Sequence, residues 1–114
     1  MMGDKWLFQL KKGSFELAVL LLLKSKPMYG YEITKKLQET GELSLGGSAI
    51  YPVLKRLHVN DFIDYYWADS ENGPQKKYYF ITDAGRKALK NRMETYRNFY
   101  GALSSLDESG GEET

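Results

Sequence analysis

At 114 residues the chain fits a single domain, just large enough to bury a core of its own. Hydrophobic residues at 42 % and charged residues at 27 % are ordinary for a globular protein, and the lack of cysteine excludes disulfides and thiolate metal sites and suits a reducing cytoplasm. The net charge of +1 hides an asymmetry: Asp107, Glu108, Glu112 and Glu113 fall in the last eight residues, so residues 1–106 hold 16 basic and 11 acidic groups (the total of 15 less those four), a net of +5.

Residues 4–12, "DKWLFQLKK", space Trp6, Leu7 and Leu10 for a short amphipathic helix that breaks or bends near Gly13. Ser14 is placed to cap the next helix, about 15–24, which is apolar nearly all round and must be packed on several sides. Its longest apolar run, Leu17 to Leu23, has seven residues, whereas a bilayer span needs roughly 20. No small-residue cleavage site accompanies it. The expectation is therefore a cytoplasmic protein with no membrane partner.

Pro27 stops that helix, and a further helix over about 29–40 follows, with Ile33 and Leu37 inward and Gly41 closing it. "ELSLGG" allows a very short strand and a turn. The third helix of this group covers about 48–60. "FIDYYWAD" and "KKYYFI" are aromatic and β-branched runs on either side of Asn72-Gly73-Pro74, which predicts an antiparallel hairpin. Their aromatic residues are expected to supply core and sheet packing. Thr82 then caps a long helix over about 83–106, and the polar, glycine-rich "DESGGEET" of 107–114 is expected to be a disordered acidic tail. The fold class is α+β, mainly α.

On a helical wheel the 48–60 segment splits in two. Ile50, Val53, Leu54 and Leu57 form a tight apolar stripe, and Ser48, Tyr51, Pro52, Lys55 and Arg56 occupy the opposite side. Pro52 costs little near a helix N-terminus, where backbone donors have few partners. Two helices joined by a short glycine-containing turn make a helix-turn-helix, whose second helix enters the major groove leading with its N-terminal residues. Here these are Ser48, Ala49, Tyr51 and Pro52, suited to base edges, thymine methyls and phosphate oxygens, with Lys55 and Arg56 one turn along, where the duplex backbone would pass. Lys76 and Lys77, taken to sit at the hairpin tip, add a basic wing, which Asp69 and Glu71 weaken.

Leu89, Met93, Tyr96, Tyr100 and Leu103 repeat at alternating spacings of four and three, a heptad seam that Phe99 and Leu106 widen. A domain this small has little interior for such a stripe, so the expected partner is a second copy of the chain in a two-fold contact, with the helix carrying Trp6 and Leu10 packing on the partner's last helix.

Four segments, "YGYEI", "AIYPVLKRLHVNDFID", "KKYYFITDAG" and the long final helix, resemble in order and spacing the PadR family of bacterial transcriptional repressors. The likeness covers residues 13–106, and the single helix after the wing looks like the family's small subfamily, which includes multidrug-responsive members. The resemblance implies a winged helix-turn-helix DNA-binding domain over 1–82 and a dimerisation helix over 83–106. It also implies a homodimer on palindromic operators of double-stranded DNA. It sets Tyr29, Gly30 and Tyr31 against the phosphate backbone. It further implies a small hydrophobic or aromatic effector near Tyr96, with Trp6, Met93 and Tyr100 as further contacts. The reading set against it is that these four are dimer core alone. The wing departs from the family pattern, with Pro74 and Gln75 before the lysines where arginines are common.

An enzyme is not expected. His58 has no evident partner, and no phosphate-binding loop, metal cluster or nucleophile motif is present. No cofactor or metal is expected either. The alternative is a winged-helix adaptor that binds protein rather than DNA.

Overall fold

An apolar helix with no polar side has to be surrounded, and the fold is arranged around one. The structure, a computed structural model, describes residues 2–113. Helix α1 (Met2–Lys12) leads into α2 (Ser14–Leu23), where Val19 and Leu20 are wholly inaccessible and Phe15, Leu17, Ala18 and Leu23 are buried. Burial of each large aliphatic side chain contributes roughly 1.5–3 kcal/mol. The chain stays helical through Gly13 (φ −78°, ψ −15°), so no extended capping residue precedes α2. Ser14 therefore does not cap. Its hydroxyl lies 3.0 Å from that of Tyr96 instead.

Helix α3 (Gly30–Thr40) buries Ile33, Thr34 and Leu37, and the Thr34 hydroxyl donates to the Gly30 carbonyl at 3.0 Å. The Tyr29 N–H donates to the Glu32 carboxylate at 3.2 Å, which secures the first turn. Gly41, at φ +73°, ends the helix. No strand forms in "ELSLGG": Leu43 and Leu45 lean on the core, and Gly47 at φ +42° turns the chain out of extended geometry. The short strand lies earlier. β1 (Met28–Tyr29) pairs with the hairpin because Met28 is buried there. A 3-10 turn (Gly47–Ala49) then opens α4 (Ile50–Val59).

The hairpin is β2 (Ile63–Ser70) and β3 (Gly73–Ile81), in sheet order β1-β3-β2. Alternation places Ile63, Tyr65, Trp67, Lys77, Tyr79 and Ile81 on the face toward α4, and Tyr66, Lys76, Tyr78 and Phe80 on the other. Helix α5 (Asp83–Glu113) follows at once. Thr82 caps it as expected: its hydroxyl accepts from the Gly85 N–H at 3.0 Å and donates to the Asp61 carbonyl at 2.6 Å.

Two expectations about α5 need correction. The helix runs on to Glu113 through residues expected to form a disordered tail. No proline interrupts it, and once nucleated a helix gains one hydrogen bond per residue added. Leu89 belongs to this chain's own core, 5 % exposed, because the first turns of α5 pack on α2. Beyond it Phe99, Tyr100, Leu103 and Leu106 are 52–71 % exposed, and Trp6, Phe8 and Leu10 of α1 are equally bare.

The close approach of α5 to the turn before β2 depends on Gly85, where a Cβ would lie 2.0 Å from the Phe62 carbonyl oxygen. Gly85→Ala therefore lowers the melting temperature, by about 1–3 kcal/mol of overpacking. Gly101→Ala, in open space on the same helix, raises it by roughly 1 kcal/mol of helix propensity. Thermal denaturation of the two variants, opposite in sign, checks the contact.

Candidate nucleic-acid interface

The apolar stripe of α4 docks as its pattern demands: Ile50, Val53, Leu54 and Leu57 are all at most 5 % exposed. That burial turns Ser48, Ala49, Tyr51, Pro52 and Lys55 to the outside. Pro52 is the third residue of α4, where a backbone N–H has no intrahelical acceptor to lose. The 3-10 turn, closed by the Ala49 N–H on the Gly46 carbonyl at 2.9 Å, presents Ser48 and Ala49 ahead of it.

Tyr51 lies back across the N-terminus of α3. A Cβ on Gly30 would be 2.9 Å from the Tyr51 hydroxyl oxygen, so the missing side chain makes room for the ring. A groove of about 240 Å³ runs from there to the wing, and Tyr29, Tyr31, Tyr51, Trp67, Lys76 and Lys77 all line it. A second, of about 260 Å³, joins Tyr51, Lys55, His58, Tyr65 and Lys77. The fold thus gathers Tyr29, Tyr31, Lys76 and Lys55 around two neighbouring grooves that share Tyr51 and Lys77.

Its cations are held on aromatic faces. The Lys77 ammonium is 4.0 Å from the centre of the Tyr65 ring, and that of Lys76 is 5.0 Å from Tyr29. Such contacts fix a long side chain while leaving its charge available. Burial, with Tyr51 and Tyr65 nearby, pushes the Tyr79 hydroxyl above its ordinary range, so it stays neutral beside them.

The lysines are not at the hairpin tip. Lys76 and Lys77 pair with Ala68 and Trp67 partway up the strand and point to opposite faces. The tip itself is Glu71-Asn72, with Asp69 accepting from the Gln75 amide at 3.2 Å. A turn closing at Gly73 leaves the lysines three and four residues behind it.

Arg56 does not join the groove. Its Nε donates to the Glu16 carboxylate at 3.1 Å, and Arg92 of α5 reaches the other oxygen of the same carboxylate at 3.5 Å. Arg92 also lies over the Phe62 ring at 5.0 Å. Glu16 therefore ties the exposed helix α4 to the long helix α5. The signal for it was present: Glu16 is the one charged residue of "SFELAVLLLL", and a charge at the edge of a buried helix needs a partner. His58 also has a neighbour, Asp64, at 3.5 Å.

Of the residues expected at an effector site, Met93 and Tyr96 share a small apolar groove with Leu17, Ala18, Leu21 and Leu43, about 220 Å³. Trp6 and Tyr100 line neither it nor the adjoining groove by Leu10 and Phe99. Among the described residues no group of three potential metal ligands occurs, and no helix is long and apolar enough to cross a membrane.

Residues 19–91 match the model of the transcriptional regulator PadR-like family. Among solved structures, a PadR-like transcription factor from Bacteroides fragilis is 32 % identical with a TM-score of 0.74, over 86 % of this chain and 94 % of that one. A PadR-like transcriptional regulator from Bacillus cereus is 31 % identical with a TM-score of 0.76, over 86 % and 95 %. A PadR family transcriptional regulator from Eggerthella lenta is 25 % identical with a TM-score of 0.79, over 92 % and 88 %.

The carboxylate bridge has a measurable weight. Glu16→Gln should lower unfolding free energy by about 1 kcal/mol, since both arginines are half exposed. The deficit should shrink in high salt, and equal denaturation midpoints for the two proteins at low salt would show that the bridge contributes nothing.

Proposed function

The chain belongs to the PadR-like family of transcriptional regulators, and from that premise we propose that it acts as a homodimeric repressor, released from a palindromic operator by a small hydrophobic or aromatic effector. The observation that carries DNA contact is the outward face of α4 beside the tyrosine–lysine groove. Ser48, Ala49, Tyr51 and Pro52 lead into the major groove, and Lys55 follows along the phosphates. Tyr29, Tyr31, Lys76 and Lys77 border the same concavity and serve the backbone rather than the bases. Arg56 acts from behind, through Glu16, by setting the pose of α4.

The dimer reading is supported by the bare seam of Tyr96, Phe99, Tyr100 and Leu103, together with Trp6 and Leu10. A two-fold pair would present two copies of α4 about 34 Å apart, one turn of duplex. The effector reading is supported by the apolar groove at Met93 and Tyr96, which opens onto that seam; in a dimer Trp6 and Tyr100 would reach it from the second copy. The acidic wing tip favours the alternative, an adaptor that binds protein, and a duplex-binding assay separates the two.

Fluorescence anisotropy with the duplex upstream of the protein's own gene should show affinity falling steeply with salt, at a slope near −0.9 per phosphate neutralised. Lys55→Ala should reduce that slope by about one unit. Gly30→Ala should keep its melting temperature yet bind more weakly, because its methyl displaces only the mobile end of Tyr51. An unchanged affinity for both would remove α4 from the interface. Tyr96→Arg should shift sedimentation toward monomer.

A further inference from the structure

Helices α2 and α5 lie side by side in opposite directions, with Ser14 of one at Tyr96 of the other and Lys24 toward Arg86. Two adjoining grooves between them share Leu21 and Met93. The one toward Ser14 is the apolar groove of about 220 Å³ described above, and no charged side chain lines it. Its polar side chains are Ser14 and Tyr96, whose hydroxyls are bonded to each other at 3.0 Å. A charged head group has no partner there.

Toward Lys24 the border changes character, around a volume of about 560 Å³. Lys24, Arg86, Lys90 and Arg97 surround this part, four cations against the single acid Glu94. None of the four makes an ion pair among the described residues, although Glu94 stands four residues from Lys90 and three from Arg97. At 100° per residue Arg86, Lys90 and Arg97 fall within about 40° of one another, beside the bare seam rather than in it. Like charges at this spacing repel, and an anion among them relieves the repulsion.

Resting on the effector reading above, we propose that the ligand of this trough is an amphiphilic anion, a carboxylate on an unbranched aliphatic chain. Its tail lies at Met93 and Tyr96, and its head lies among Lys24, Arg86 and Lys90. The dimensions agree. Ser14 to Lys24 and Arg86 to Tyr96 are each ten residues, about 15 Å of helix, which suits an extended acyl chain of medium length. A compact aromatic acid spans only part of that distance. Leu21, Leu89 and Met93 form an apolar floor for the methylenes between the two ends. Cationic amphiphiles are excluded by the same four side chains that hold the carboxylate.

Isothermal titration calorimetry with dodecanoate, kept below its micelle concentration, should show a single site per chain. Dodecanol, dodecyltrimethylammonium and naphthoate should each bind about tenfold more weakly or worse. Across octanoate, decanoate and dodecanoate the affinity should rise about fourfold per methylene, the ratio for taking that group out of water. Lys24→Glu/Lys90→Glu, folded by its melting temperature, should weaken dodecanoate and reverse the preference toward dodecyltrimethylammonium. Equal binding of the three dodecyl head groups, or a preference that survives the charge reversal, overturns the anion assignment while leaving the apolar effector groove in place. Naphthoate as tight as dodecanoate overturns the chain, and no binding of dodecanoate overturns the proposal outright. In the duplex assay above, saturating dodecanoate should lower operator affinity. Stoichiometric binding without that loss keeps the anion site and removes the effector reading.

Discussion

The burial of α2 is the constraint on which the rest of the molecule depends. A helix apolar on every side must be covered on every side, and α1, α3, α4, α5 and β3 all contact it. Leu21, 42 % exposed, and the polar edge residues escape. Ser14 turns to Tyr96, and Glu16 sits where two arginines from different helices can meet it. In this way the central helix does more than exclude water: through Glu16 it connects α4, with its exposed polar face, to α5, with its exposed apolar one. Glu16 is only partly exposed and its two partners are half exposed, so the link is electrostatic but modest in strength.

The proposed recognition surface follows from the same packing. Once Ile50, Val53, Leu54 and Leu57 are inside, Tyr51, Pro52 and Lys55 have nowhere else to point. The wing brings its lysines to that surface, but on tyrosine rings rather than at an extended tip. Lys77 and Lys55 therefore share the groove between α4 and the hairpin, Lys76 lies by Tyr29 at its edge, and the tip carries acids. On the proposed reading, a duplex laid there would meet preplaced cations, which would reduce the side-chain entropy lost on contact.

Periodicity made most of the fold legible. The four-residue stripe of α4, the two aromatic runs around Asn72-Gly73, and the Thr82 cap each express a local rule that the packed structure also needs. What stayed hidden depends on distance in sequence. Arg56 shares a wheel position with the exposed face, and nothing local reveals that Glu16, forty residues away, turns its side chain aside. Leu89 fits the heptad seam equally well as a core residue, and only the docking of α5 on α2 decides between them. Lysines beside a turn read as its tip until the register places the turn at Gly73. Polar, glycine-bearing composition at 107–113 suggested disorder, yet composition alone does not stop a helix already under way.

The contact at Gly85 reaches well beyond its own neighbourhood. The helix it starts is 31 residues long, roughly 46 Å at 1.5 Å per residue. On such a lever, a tilt of a few degrees at the pivot becomes a displacement of a few ångströms at the far end. One absent methyl group, wedged against a carbonyl, thus sets the angle at which the bare end of α5 leaves the domain; in the proposed homodimer that angle would fix the gauge between the two copies of α4.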